Sequence, residues 1–241
     1  NFGRQLKVCT LNNYGAQKDK LQDLLLFYSS TEKKLVTLGE YVSRMPESQK
    51  YIYFAAGESI EAIDHMPQTE VLKDSSTEIL YFTDKTDEFI ADMFRTYQEK
   101  EFRSALDDEP ETADAEKKEP DEAAQPALDF IRETLGAKVD GVKASTRLKT
   151  HPVCLTCGEG LTFEMEKYFK NFQMPTPVKA DRILELNTDH PAVQAMEAAM
   201  TSDRAKAELY AKILYDQALL IAGLPLEDPS EYTDLVAELM K

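Results

Sequence analysis

Basic residues are in short supply. Lys and Arg number 28 against 44 Asp and Glu, a formal net charge of −16 over 241 residues, with a pI near 4.7. This balance argues against DNA or RNA as partner, which needs clustered cations to neutralise phosphates. It argues equally against anionic membrane surfaces. No apolar run approaches the roughly 18 residues that span a bilayer; the candidate Ala218–Gly223 is far too short. Three cysteines (Cys9, Cys154, Cys157) are too few for a disulfide framework. With no basic-plus-apolar leader at the N-terminus, a reducing, cytoplasmic compartment is expected. Start at Asn1 rather than Met points to a piece of a longer protein. Nothing matches a GxxxxGK[ST] or GxGxxG phosphate loop, a GxSxG elbow or an HExxH zinc helix. The three histidines (His65, His151, His190) are scattered, and no coherent acid, base and nucleophile set emerges.

What is present is a chain with enough apolar content, 42%, to form cores. Its sharpest composition shift lies at Asp107–Glu122, where nine of sixteen residues are acidic and two are Pro. Such a stretch buries too little apolar surface to offset chain entropy. It reads as an acidic linker over 106–125 between two ordinary-sized domains, 1–105 and 126–241.

The periodicities place elements within each half. Leu21, Leu24, Leu25 and Tyr28 suggest a helix over Asp19–Tyr28. Thr37-Leu-Gly-Glu40 is a capping box, with Pro46 stopping the helix behind it. Tyr51–Ala56 and Glu78–Thr83 read as strands, each followed by a helix (Ser59–Met66, Asp84–Tyr97). The result is a parallel βαβα unit. In the second half, Pro126–Leu135 reads as a helix closed by Gly136, and Val139–Leu148 and Val153–Cys157 as strands. Leu161–Phe172 reads as a helix ending before Pro175, and Arg182–Leu186 as a strand. Two final helices follow, Asp203–Ala222 ending at Gly223, and one capped by Asp228 with Pro229 in its first turn. The fold class is therefore α/β followed by α+β, closing in a helical bundle.

Three features carry candidate chemistry. Cys154-Leu-Thr-Cys157 could be a redox pair or half a zinc site. Yet it falls in a strand rather than at a helix N-terminus, and with His151 it supplies only three ligands. Leu161, Met165, Tyr168, Phe169 and Phe172 form an apolar stripe on a short helix, with Phe163 off the stripe and Met174 just beyond it. Such stripes are usually core; this one is more apolar surface than a small domain buries readily, and the alternative is that it binds other proteins adaptably. On the last helix, Tyr232, Leu235, Val236, Leu239 and Met240 share one face, worth roughly 8–15 kcal/mol gross if buried. They pack either on their own domain or in a bundle shared by two copies of the chain.

Ordered blocks along the whole chain resemble those of the ninety-kilodalton heat-shock chaperone family. They are Asn1-Phe-Gly-Arg-Gln-Leu-Lys7, Leu24–Thr31 (LLLFYSST), Leu38–Ile52 (LGEYVSRMPESQKYI), Glu78–Phe89 (EILYFTDKTDEF), Ile183–Pro191 (ILELNTDHP) and Leu214–Pro229 (LYDQALLIAGLPLEDP). The resemblance implies that residues 1–105 are the rear part of the middle domain and 126–241 the C-terminal dimerisation domain of a molecular chaperone. It implies that the ATP-binding domain is absent, so that this chain is no enzyme and holds no cofactor, ATP and Mg belonging to the missing part. It carries client-binding roles onto Glu88 and Phe89, the latter replacing a Trp, and onto Leu161, Met165, Tyr168 and Phe169. It carries a homodimer interface onto Leu209, Ile213, Leu214, Leu220, Tyr232, Leu235, Val236 and Leu239. The expected partners are unfolded proteins and a second copy, without tail-binding co-chaperones, since no Met-Glu-Glu-Val-Asp tail is present. The alternatives are a redox or metal protein using Cys154 and Cys157, or a purely structural dimerisation module.

Overall fold

A computed structural model describes residues 2–106, 122–158, 160–170 and 178–241. Of the acidic linker expected over 106–125, residues 107–121 lie outside the described residues, as does the stretch around Phe172, Met174 and Pro175. The linker's end is corrected, since Glu122–Ala124 form a 3₁₀ turn that leads into a helix starting at Gln125. Contacts divide the chain into two units. Unit 1 comprises residues 1–115 and 164–178, and unit 2 comprises 116–163 and 179–241. Glu164–Lys170, which follow the linker in sequence, thus pack with the first half.

Unit 1 begins with α1 (Gly3–Gly15) and α2 (Lys18–Leu21), then β1 (Leu26–Ser29), β2 (Leu35–Thr37), α3 (Leu38–Arg44) and β3 (Tyr51–Ala56). There follow α4 (Ile60–Asp64), α5 (Glu70–Asp74), β4 (Leu80–Phe82), α6 (Asp87–Phe94), β5 (Thr96–Tyr97) and β6 (Lys100–Ser104). The six strands form one mixed sheet, ordered β2-β1-β4-β3-β6-β5. β3 runs parallel to β4 and β6, while β1, β2 and β5 pair antiparallel with their neighbours. Strand β3 explains why the sheet is covered on both faces. Ile52, Phe54 and Ala56 point into one core with residues of α1, α3 and α6. Tyr53 and Ala55 point into the other, beneath α4 and α5. Alternation puts successive side chains on opposite faces.

Several expectations are corrected here. The helix over Asp19–Tyr28 is only α2, a 3₁₀ turn at Gln22–Leu24, and then strand β1. Leu25, Phe27 and Ser29 are buried while Leu26 is exposed, a period of two that pairing with β2 and β4 selects over the helical spacing. The helix expected to reach Tyr97 stops at Phe94, because Arg95 takes φ +57° and Thr96–Tyr97 pair with β6. The parallel βαβα unit is present, β3 pairing parallel with β4, but it lies within a larger mixed sheet, and α1 is an element that periodicity does not reveal. The capping box is as expected: Thr37 Oγ1 accepts from Glu40 N at 3.2 Å, and Glu40 Oε2 accepts from Thr37 N at 2.7 Å. That reciprocal bonding holds the Glu40 carboxyl below its usual range.

Unit 2 holds α7 (Gln125–Leu135), β7 (Gly141–Ala144) and β8 (Val153–Thr156). After α8 (Phe163–Lys170), whose residues from Glu164 belong to unit 1, it continues with β9 (Ile183–Leu186), α9 (Pro191–Ser202), α10 (Arg204–Ile221) and α11 (Pro229–Leu239). Its sheet is ordered β7-β9-β8, with β7 parallel and β8 antiparallel to β9. The strand expected over Val139–Leu148 ends at Ala144, because Ser145 Oγ turns back to accept from Arg147 N and Leu148 N. α10 packs on β8, α7, α9 and α11 through Ala207, Ala211, Leu214 and Ala218, all buried. Helix ends follow their side chains: Asp203 caps α10 at Lys206 N, and Asp228 caps α11 at Ser230 N and Glu231 N. Gly223 takes φ +64° past the end of α10.

Candidate functional site

Within unit 1, three aromatic rings from distant segments meet. Phe89 on α6 lies 5.2 Å from Tyr168 and 5.9 Å from Phe169 on α8, and Tyr168 and Phe169 are 5.8 Å apart. All three pairs are edge-on, with interplanar angles of 63°, 84° and 75°. That geometry matches the positive edge and negative face of the ring quadrupole. Each of the three residues is half-buried, so the cluster stays partly accessible. Glu88 beside it is 5% exposed and Met165 is 9% exposed. Leu161 is half-buried in unit 2. The expected client-binding residues therefore split. Phe89, Tyr168 and Phe169 converge, Glu88 and Met165 are buried in the same unit, and Leu161 falls outside it.

The start of α6 is strongly anchored. Asp84 Oδ1 accepts from Thr86 N at 3.0 Å and from Thr86 Oγ1 at 2.8 Å, and Asp84 N donates to Asp87 Oδ2 at 3.2 Å. Lys7 Nζ of α1 lies 2.6 Å from Asp87 Oδ1 and 4.6 Å from the centre of the Phe27 ring. Burial pushes the Asp87 carboxyl up to about 6, against the pull of Lys7. On α8, Lys167 pairs with Glu164 at 2.6 Å and Lys170 with Glu166 at 2.9 Å. These are i,i+3 and i,i+4 pairs that steady a short helix.

In unit 2 the expected dimer residues also divide. Ile213 and Leu214 are buried inside the unit. Leu209, Tyr232, Leu235, Val236 and Leu239 are half-buried, and Leu220 is 50% exposed. No residue of α11 is buried. This helix is held on its unit partly by ion pairs, Lys138 with Glu227 at 3.0 Å and Lys212 with Glu231 at 3.6 Å. All four side chains are substantially exposed, so these pairs contribute little. A helix whose apolar face is only partly covered by its own unit has burial still to make.

Cys154 and Cys157 are both buried, while Cys9 is exposed. Cys154 sits directly across from Glu185 in the β8–β9 ladder. Among the described residues no group of three or more His, Cys, Asp or Glu is arranged to hold a metal ion. Among them, too, no helix is long and apolar enough to cross a membrane.

Periodicity gives no sign of the polar core of unit 2. Glu185, centred on β9, receives Arg147, Lys143, Ser145 and Thr156. Two residues on, Asn187 Nδ2 donates to the carbonyls of Lys149 and His151, both at 3.2 Å. His190 Nδ1 accepts from Ala192 N at the start of α9. The ILELNTDHP block is thus a structural knot. The signal that marks it is a lone carboxylate at an inward position of an otherwise apolar strand.

Compared with known proteins, the whole chain, residues 1–241, matches the family model described as Hsp90 protein. It is 52% identical to the chaperone protein HtpG of Clostridium acetobutylicum over 243 residues. It is 48% identical to the proteins of that name in Bacillus licheniformis and Bacillus subtilis. Each alignment covers 100% of this chain and 39% of the relative. These matches correct one expectation, that the chain is no enzyme because a nucleotide-binding domain is absent. The family match covers the entire chain and the relatives are met over 39% of their length, so absence of that domain is not a property this protein can be given. With the family model matched end to end and half of all positions shared with a relative, the chain belongs to the Hsp90 family.

Proposed function

We propose that this chain is part of a molecular chaperone, comprising the rear of a middle domain (1–105) and a C-terminal dimerisation domain (126–241). In this reading the ring cluster of Phe89, Tyr168 and Phe169 is the surface that takes non-native protein segments. The observation that carries it is the convergence of those three rings, from segments some 80 residues apart in sequence, into one half-open apolar face. Edge-on rings with open flanks accept aromatic and aliphatic side chains without requiring one partner geometry, which suits binding many unfolded sequences weakly. The names of the relatives support the chaperone assignment. The partly covered apolar face of α11, with Leu220 and Leu209 of α10, supports pairing with a second copy. Two copies would present two binding faces to one chain and strengthen weak contacts through effective concentration.

Phe89→Ala combined with Phe169→Ala tests the first half. Affinity for a permanently unfolded model protein should fall about tenfold, equivalent to roughly 1.4 kcal/mol, with the circular dichroism spectrum retained. Unchanged affinity would remove the cluster from the proposal. Light scattering over a dilution series tests the second half. A mass of twice 27.3 kDa that collapses to the single-chain value in Leu235→Asp is the expected result. A wild-type chain that stays at 27.3 kDa throughout would overturn the pairing.

A further inference from the structure

Lysine is seldom buried, and a buried ammonium needs a partner to offset its lost hydration. Lys7 is 9% exposed and Asp87 is 1% exposed. Their charges meet at 2.6 Å, with the ammonium also set over the Phe27 ring. One ion pair therefore joins three elements, α1, β1 and α6. The remaining oxygen of Asp87 accepts from Asp84 N, and so fixes the loop that enters α6. Arg4, also on α1, reaches Asp84 with its Nε 3.6 Å from Oδ2, so α1 grips this loop twice. Asp87 is the first residue of α6 and Phe89 lies two positions on, within the same turn.

We propose that the Lys7–Asp87 ion pair is the positioning element of the aromatic face, locking α1 across α6 and setting the direction in which Phe89 meets Tyr168 and Phe169. This rests on the reading of that face as a protein-binding surface. The reasoning turns on what a buried ion pair supplies. Apolar residues of similar volume often match or exceed such a pair in stability. What they do not supply is a short contact of defined direction, which the 2.6 Å approach imposes on the first turn of α6. Lys7 and Asp87 are thus positioning residues, acting on binding through Phe89 rather than by touching the bound segment.

The test compares three variants of the full chain for affinity to an unfolded model protein and for urea stability. Lys7→Met alone leaves the Asp87 charge without its cation and should lower both. Lys7→Met with Asp87→Leu should restore the urea midpoint to near wild type while affinity stays about tenfold weaker. Hydrogen exchange should then show faster exchange at the first turn of α6 than in wild type. If the double variant recovers affinity together with stability, the pair is only a stabiliser and the proposal fails. Phe89→Ala is the control. If it binds as tightly as wild type, the binding-face reading is what has failed. If it binds weakly while the double variant binds normally, the positioning role is refuted on its own.

Discussion

The buried charges of unit 2 make the most demanding prediction. Arg147 Nε lies 3.2 Å from Glu185 Oε2, and each side chain is 1% exposed. Ser145 Oγ donates to Oε2 at 2.8 Å, and Thr156 Oγ1 to Oε1 at 3.3 Å. Lys143, the register partner of Glu185 on β7, brings its ammonium to 3.3 Å of Oε1. Arg147→Met leaves the carboxylate buried with Lys143 as its remaining close cation among the described residues. Breaking a buried pair by removing one partner costs about 3–5 kcal/mol, and the remaining lysine places this case at the lower end. That is a large share of the about 5–15 kcal/mol that stabilises a domain. Glu185→Leu should cost a similar amount, because it removes the carboxylate that faces the buried Arg147 guanidinium and takes away an acceptor of the Ser145 and Thr156 hydroxyls, about 1–3 kcal/mol for a buried group left unsatisfied. Arg147→Met with Glu185→Leu removes both buried charges together and should cost about 2 kcal/mol less than the sum of the single changes. Urea titration gives the three free energies, and hydrogen exchange at the amides of β8 and β9 assigns them to this unit. Single costs that add to within about 0.5 kcal/mol would refute the coupling, and with it the view that Glu185 organises the Ser145–His151 loop.

Three further outcomes follow from local features. The Asp87 carboxyl is raised from 3.8 to about 6, so the folded state binds its proton more tightly than the unfolded chain. Its stabilisation is complete below about pH 4 and is lost as pH rises through 6. Between pH 7 and 5 the stability of unit 1 in urea should therefore rise by roughly 1 kcal/mol, part of the roughly 3 kcal/mol gained below pH 4, and Asp87→Asn should flatten that rise; an identical slope in the variant would sink the assignment. Thr37→Ala removes one arm of the capping box and should cost about 1 kcal/mol while Thr37→Ser costs less, read as shifts in thermal midpoint. In the native chain a thiol reagent should modify Cys9 quickly and the buried Cys154 and Cys157 only after denaturant is added; rapid labelling of all three would contradict their burial.

Elements whose identity is set by neighbouring residues were legible in the sequence. The capping box at Thr37, the N-cap at Asp228 and the glycine after α10 all depend on groups within four residues, and local chemistry alone satisfies the helix ends there. Strand β3 was legible because burial on both faces leaves a continuous run of apolar and aromatic residues, Tyr51–Ala56. β1 was not, since Leu21, Leu24, Leu25 and Tyr28 fit a helical stripe as well as a strand. The choice is made by pairing with Leu35–Thr37 and with Leu80–Tyr81, which no local window contains. The Lys7–Asp87 pair is a contact across 80 positions, and charge composition alone presents both residues as solvated. The aromatic stripe of α8 was legible as an excess of apolar surface. That it belongs with α6 was not, because sequence adjacency assigns it to the second half.

The exchange of tryptophan for phenylalanine, implied at position 89 by the family resemblance, has a physical account in this geometry. A tryptophan on a protein-binding surface offers a large apolar area and an N–H donor. Here the residue meets Tyr168 and Phe169 by ring-edge contacts, at 63° and 84°, and such contacts require a quadrupole, not a donor. The second segment supplies what phenylalanine lacks. Tyr168 has a hydroxyl of its own, and with Phe169 it triples the ring count at the site. The aromatic character of the surface is therefore a property of the α6–α8 pairing rather than of any single side chain. The interaction of Phe89 with either ring should depend on the presence of the other, which a double-mutant cycle over Phe89, Tyr168 and Phe169 reads directly.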